Sequence, residues 1–238
     1  MRHFEEQIQE LLQRLVYMGR LAESMIQGSL RMLLERNPVH FEEVERKEQE
    51  VNELQIEVDD RALKLAALQQ PVGSDVRLVF MSSRIATELE RIADQAINIG
   101  QNAKHLLGHP PLKPFVDIPI MSDICQRMVR ESLDALVRRD IDLAMDVLRE
   151  EEKVDAFRDQ IFRELLTYMM ADPATIPRAM ALILISRNLE RVGDHATNIA
   201  EEVIYLVQGR DVRHRHETQT RSMPAPGRES KDQDTRGK

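Results

Sequence analysis

The sequence has 238 residues, of which 42% are hydrophobic and only 4% aromatic, and it carries a net charge of −8. A chain of this length can bury one large core or two small ones. The acidic charge argues against binding to nucleic acid, because the phosphate backbone repels it. Cys125 is the only cysteine, so the sequence excludes an intrachain disulfide and a cysteine-rich zinc site.

The sequence offers no segment for export or for membrane insertion. Its first residues, MRHFEEQIQELLQ, contain acidic side chains where a signal peptide has an apolar run. No stretch reaches the ~18 consecutive apolar residues that a membrane-spanning helix needs. We therefore expect a cytoplasmic protein that does not insert into a membrane.

Apolar residues recur with the i, i+3, i+4 spacing of amphipathic helices along most of the chain. Glycine and proline residues interrupt this pattern and divide it into six segments. The predicted helices cover about residues 4–36, 39–69, 75–107, 118–138, 141–170 and 176–207. Ser74 and Asp75 supply an N-cap for the third helix, and Gly209 ends the sixth.

The third and sixth predicted helices repeat one sequence at a spacing of 100 residues. Residues 89–100 read LERIADQAINIG and residues 189–200 read LERVGDHATNIA, so seven of twelve positions are identical. The turns before these helices and the second helix of each half also correspond, with Glu48 matching Glu151 and Val51 matching Val154. Three matches in the same order indicate an internal duplication.

The sequence therefore predicts an all-α fold of two tandem three-helix bundles related by duplication. We assign the first repeat to residues 1–108 and the second to residues 115–209. Residues 210–238 are rich in Arg, Ser, Asp, Gly and Pro, and we expect a disordered C-terminal tail there. The residues from Gly209 onward include eight Lys or Arg and five Asp or Glu, so the acidity belongs to the two repeats.

Each copy of the repeated segment carries a Glu-x-x-x-Asp-x-x-x-Asn motif. Its residues are Glu90, Asp94 and Asn98 in the first copy, and Glu190, Asp194 and Asn198 in the second. A spacing of four places such residues on one side of a helix. The apolar residues occupy the opposite side, and they are Ile85, Leu89, Ile92, Ala96 and Ile99 with their counterparts 100 positions later. We therefore expect the carboxylates on the outer surface of each bundle.

A row of carboxylates on a helix is a candidate binding site for a hard cation. Like charges at i, i+4 repel by a few tenths of a kcal/mol, and a bound cation turns this repulsion into ligation. Carboxylate and amide oxygens suit Mg, Mn, Ca or iron better than soft metals. A solvated helix face is the ordinary fate of such residues, and the spacing alone leaves that alternative open.

One helix supplies too few ligands, so the second helix of each repeat must contribute. In the second copy, Glu151 and Asp155 form another Glu-x-x-x-Asp pair, whereas the first copy has Glu48 and Asn52. The first site therefore lacks one carboxylate. Other acidic residues of the same helix remain alternatives, namely Glu45, Glu53 and Asp59. We interpret His195 as a surface residue rather than a ligand, because Gln95 replaces it in the first copy.

The two motif copies resemble the paired signature of the PhoU family of phosphate-transport accessory proteins. The stretches QPVGSDVRL at residues 70–78 and LTYMMADP at residues 166–173 support this resemblance, which covers about residues 4–209. It implies metal-binding carboxylate motifs on the surfaces of two three-helix bundles. The implied ligands are Glu48, Glu90 and Asp94 in the first repeat and Glu151, Asp155, Glu190 and Asp194 in the second, with Asn52, Asn98 and Asn198 as additional polar ligands. The implied metal is Fe, Mn or Mg.

The resemblance also implies a function that is not enzymatic. A member of this family keeps the phosphate-starvation response off when phosphate is plentiful. It links the ATPase subunit of the phosphate ABC transporter to a sensor histidine kinase, and we expect it to be a homodimer. Two other functions remain open from the residues: a helical scaffold without bound metal, and a di-iron carboxylate enzyme. The enzyme is disfavoured because its sites require Glu-x-x-His motifs, and no histidine here has a glutamate at that spacing.

Overall fold

The computed structural model describes residues 2–210 and consists of six long helices. They are α1 (Arg2–Glu35), α2 (Val39–Gln69), α3 (Ser74–Leu106), α4 (Asp117–Arg138), α5 (Ile141–Ala171) and α6 (Ile176–Gln208). A single 3-10 turn, Pro173–Thr175, precedes α6. The all-α prediction is confirmed, and each helix begins and ends within two residues of its predicted bounds. The predicted disordered tail covers residues 210–238, of which residues 211–238 lie outside the described part of the chain.

The six helices form two bundles of three. Helices α1, α2 and α3 pack against one another, as do α4, α5 and α6, and short turns make successive helices antiparallel. The bundles meet through α3 against α6 and α1 against α4. Within residues 2–210, α2 and α5 contact only helices of their own bundle. Within the described residues, α1, α3, α4 and α6 therefore each have three long helices around them, whereas α2 and α5 have two.

The predicted apolar stripes form the cores of the two bundles. Ile85, Leu89, Ile92, Ala96 and Ile99 are fully buried, and so are Ile185, Leu189, Val192, Ala196 and Ile199. Removal of these side chains from water provides most of the stability of such a bundle. The duplicated pattern thus gives the same core position to α3 and α6.

The helix ends show one departure from the sequence prediction. Gly209 ends α6 with φ of 65°, as predicted. The predicted Ser74 or Asp75 cap does not form, because Ser74 already belongs to α3 and the residue before it is Gly73. Gly73 has φ of 61°, a conformation that favours glycine, and no side chain caps the helix there. None of the helices in the described part of the chain is long and apolar enough to cross a membrane.

Candidate metal sites

The first candidate site lies where α2 and α3 face each other. Glu90 and Asp94 project from α3, and Glu48 projects from α2. All three side chains are half-buried rather than exposed, which corrects the prediction of an outer-surface position. The reason is that α3 has neighbours on several sides, so the face opposite its core stripe lies along α2. Of the alternatives on α2, Glu45, Glu53 and Asp59 are exposed.

The carboxylates of the first site repel one another. Burial and the charge of Asp94 raise the pKa of Glu90, and burial and the charge of Glu48 raise the pKa of Asp94. Asn52 donates a hydrogen bond from its side-chain nitrogen to Oε1 of Glu48 at 2.9 Å. No Lys or Arg of residues 2–210 forms an ion pair with any of the three carboxylates. Their mutual repulsion is what a bound cation would relieve.

The second candidate site repeats this arrangement between α5 and α6. Glu151 and Asp155 project from α5, and Glu190 and Asp194 project from α6, all half-buried. Burial and the charge of Asp194 raise the pKa of Glu151 to about 7. Burial and the charge of Glu190 raise the pKa of Asp194 to about 6. The negative charge of its neighbours thus raises the pKa of each of these two carboxyls, and a bound cation would relieve that repulsion.

An arginine that the sequence motifs did not reveal lies within the second site. Nη1 of Arg158 donates to Oδ1 of Asp155 at 3.0 Å and also to Oε1 of Glu190. Nε and Nη2 donate to Oδ1 of Asp159 at 3.1 and 2.9 Å. Arg158 follows Asp155 by three positions, which puts both on one face of α5, and this spacing was the available signal. It did not show that Glu190 of α6 would complete the contact.

Two predicted polar residues of the sixth helix have different positions from those expected. Asn198 donates a hydrogen bond to Oε2 of Glu88 at 2.9 Å, and Nδ1 of His195 lies 2.8 Å from the same oxygen. Burial acts to raise the pKa of Glu88, but the contacts with His195 and Asn198 outweigh it, so the pKa lies below its ordinary value. His195 is thus half-buried between the repeats, not on the open surface as expected. Glu88 had no signal in the sequence, because its counterpart 100 positions later is Asn188.

The donor types of both sites fit a hard cation, although the side chains do not yet surround one. Each site combines carboxylates from two helices, and oxygen donors suit Mg, Mn and iron. Among residues 2–210, no three Asp, Glu, His or Cys side chains converge in a geometry ready for a metal ion. Binding would therefore require the carboxylates to change rotamer, and in the second site Arg158 already holds one oxygen each of Asp155 and Glu190.

Comparison with known proteins identifies both repeats. The family model described as the PhoU domain matches residues 15–103 and again residues 118–203. A protein of Pseudomonas putida named phosphate-specific transport system accessory protein PhoU homolog is 37% identical over 213 residues. That match covers 89% of this chain and 83% of the relative.

Solved structures show the same arrangement of helices. The crystal structure of PhoU from Pseudomonas aeruginosa is similar with a TM-score of 0.83 and 35% identity, covering 87% of this chain and 100% of that one. A regulatory protein of the phosphate transport system from Streptococcus pneumoniae, also named PhoU, has a TM-score of 0.80 at 24% identity. The latter match covers 88% of this chain and 99% of that one and supports the fold alone.

Proposed function

Because this chain belongs to the PhoU family, we propose that it is a non-catalytic negative regulator of phosphate uptake and of the phosphate-starvation response. The observation that carries this proposal is the match of both repeats, together with a 37% identical relative named as an accessory protein of phosphate-specific transport. The regulator keeps the response off while phosphate is plentiful.

The partners in this proposal are the ATPase subunit of the phosphate ABC transporter and a sensor histidine kinase. The protein acts in the cytoplasm as an adaptor between them, and as a homodimer. Its shape supports such a role, since α2 and α5 each keep one side free of the other bundle within the described residues. Near the turn that joins α2 to α3, the side chains of Leu63 and Phe80 are 69% and 65% exposed. Both side chains line one apolar groove together with Val76, and contiguous exposed apolar surface of this kind marks protein contact sites.

The regulator also binds Fe, Mn or Mg at its two carboxylate sites. The ligands are Glu48, Glu90 and Asp94 in the first repeat and Glu151, Asp155, Glu190 and Asp194 in the second. The raised pKa values of Glu151 and Asp194 support this part, because they arise from burial and unbalanced negative charge. A bound ion would neutralise that charge and tie the second and third helices of each repeat together.

A deletion strain tests the regulatory role. We expect phosphate-responsive genes to be expressed in high phosphate when this protein is absent, and repression to return when the gene is restored. Reporter expression in high and low phosphate measures both effects. Normal repression in the deletion strain would contradict the proposal and leave a helical scaffold as the alternative.

Metal analysis tests the sites separately from the regulation. We expect protein purified without chelator to contain Mn, Fe or Mg, and the double variant Asp94→Ala with Asp194→Ala to lose most of it with little loss of helicity. Elemental analysis and circular dichroism measure these properties. Asp146→Ala is a matched control, because Asp146 pairs with Arg149 on α5 outside the site. Absence of all three metals from the unaltered protein would refute the site assignment.

A further inference from the structure

The second candidate site contains an arginine, Arg158, that the first site lacks. The register that matches Glu48 with Glu151 pairs Arg158 of the second repeat with Gln55 of the first. The Gln55 side-chain nitrogen donates to Oγ1 of Thr87 at 3.5 Å and, within residues 2–210, to no carboxylate. The same register pairs Asp155 with Asn52. The second repeat therefore has both an additional carboxylate and an additional guanidinium.

The charges of the additional carboxylate and the additional guanidinium cancel, so the two sites have the same formal charge. The first site has three carboxylates, and the second has four carboxylates with one arginine. The guanidinium of Arg158 bridges Asp155 of α5 and Glu190 of α6, which are one proposed ligand from each helix. A cation that uses all four carboxylates competes with this arginine for Oδ1 of Asp155 and Oε1 of Glu190.

We propose that Arg158 is an intramolecular competitor of the metal ion at the second site, so that the second site binds cations more weakly than its ligand count suggests. This inference rests on the metal binding proposed above. A guanidinium and a metal ion that both contact Asp155 and Glu190 lie close together and repel each other. A metal ion that takes Oδ1 of Asp155 and Oε1 of Glu190 displaces the guanidinium, and the free energy of those hydrogen bonds is subtracted from its binding.

The surroundings of Arg158 allow this displacement. Its side chain is 32% exposed, so it can turn toward solvent without crossing the core. Asp159, which is 60% exposed, already accepts from Nε and Nη2 and is not one of the proposed ligands. Arg158 keeps its ion pair with Asp159 when the metal ion displaces it from the other two carboxylates, so its guanidinium still has an acidic partner. The charge of Arg91 acts on Glu90 and Asp94, but among residues 2–210 no arginine forms an ion pair with the carboxylates of the first site. We therefore expect the first site to fill at a lower cation concentration than the second.

Each site can be titrated alone with Mn²⁺. The variant Asp94→Asn disables the first site, and Asp194→Asn disables the second. Calorimetry on the metal-free protein then gives the dissociation constant of the remaining site. Adding Arg158→Gln to the Asp94→Asn variant places glutamine at this position of the second repeat, as the first repeat has with Gln55. We expect its affinity for Mn²⁺ to rise about tenfold or more. Adding Gln55→Arg to the Asp194→Asn background tests the reverse, and we expect the first site to weaken.

Two controls separate competition from other effects. Arg149→Gln removes the same charge from the same helix, but Arg149 is exposed and pairs with Asp146, so the second site should keep its affinity. Arg158→Lys retains a positive charge, and we expect it to keep the second site weaker than Arg158→Gln does. Circular dichroism confirms that each variant is folded.

The outcomes distinguish this inference from the function on which it rests. If Mn²⁺ binds but Arg158→Gln leaves the second site unchanged or weaker, the arginine is a structural ion-pair partner and the inference is wrong. An equal gain from Arg149→Gln would also overturn it, since only the net charge would then matter. If Mn²⁺ binds to neither site in any variant, the proposed metal binding fails and the inference falls with it.

Discussion

The two repeats place matching carboxylates on matching helices but balance their charge differently. In the first, Asn52 donates a hydrogen bond to Glu48, and the three carboxylates have no ion-pair partner within residues 2–210. In the second, Arg158 bridges Asp155 and Glu190. The second repeat thus has an additional acid together with an additional base where the first has Asn52 and Gln55.

The cores of the two repeats show a second paired difference. In the first, the ring of Phe41 packs against Gly100. The corresponding residues of the second repeat are Ala144 and Ala200, and both are fully buried. A large residue opposite a glycine in the first repeat thus corresponds to two small residues in the second.

The largest expected effect comes from replacing Gly100, which packs against the Phe41 ring, with alanine. A methyl group at position 100 would overlap the Phe41 ring and approach Oγ of Ser29 within 3.0 Å. We expect Gly100→Ala to lower the free energy of unfolding by about 1–3 kcal/mol despite the better helix propensity of alanine. Urea denaturation followed by circular dichroism measures this change.

Gly193 provides the matched control for that substitution. A methyl group there would lie 3.4 Å from Cγ1 of Val154, an ordinary contact, and the first repeat already has Ala93 at this position. We expect Gly193→Ala to be neutral or to stabilise by up to about 1 kcal/mol. Equal losses from the two substitutions would show that packing does not distinguish the repeats in the way described.

A smaller effect is expected in the pH dependence of stability. Glu151 and Asp194 have folded-state pKa values of about 7 and about 6, above their ordinary values of 4.5 and 3.8. Such groups bind protons on folding, so the stability they confer is complete below the ordinary pKa and is lost as the pH rises toward about 7. With a chelator present, this contribution should lower the melting temperature between about pH 4 and about pH 7.

Variants at equivalent positions make this prediction specific to one repeat. Asp194→Asn should reduce the loss of stability between acidic and neutral pH, and Asp94→Asn should reduce it less, because the second repeat has the larger pKa shifts. Thermal unfolding at a series of pH values measures the difference from the unaltered protein. If Asp194→Asn and the unaltered protein gave parallel curves, the raised pKa of Asp194 would be wrong.

The smallest expected effect comes from giving the first site the carboxylate that it lacks. Asn52→Asp replaces the hydrogen bond to Glu48 with repulsion at i, i+4. We expect the metal-free protein to lose a few tenths of a kcal/mol. Saturating Mn²⁺ should restore at least that much, because the introduced carboxylate would add an oxygen ligand. Denaturation with and without Mn²⁺ measures both changes, and a loss that Mn²⁺ does not reduce would argue against ligation at this position.

Much of the fold followed from the sequence, whereas the composition of the sites followed only in part. Glu90, Asp94, Glu190 and Asp194 stood out because duplication repeats them in register. Arg158 did not, since the first repeat has Gln55 at its position. Glu88 was missed for the same reason, and it contacts His195 from the other repeat. Residues that the two repeats share stand out in the sequence, whereas residues present in only one repeat do not.

The six helices and their duplication could be predicted from the sequence, because helix periodicity and the glycine and proline interruptions are local properties of the chain. The burial of the carboxylates could not be read from the sequence, because it depends on how the helices pack. It arises where the polar sides of α3 and α6 lie along α2 and α5. Only the tertiary structure brought Arg158 to Glu190, since 32 residues separate them and their contact requires α5 to pack against α6.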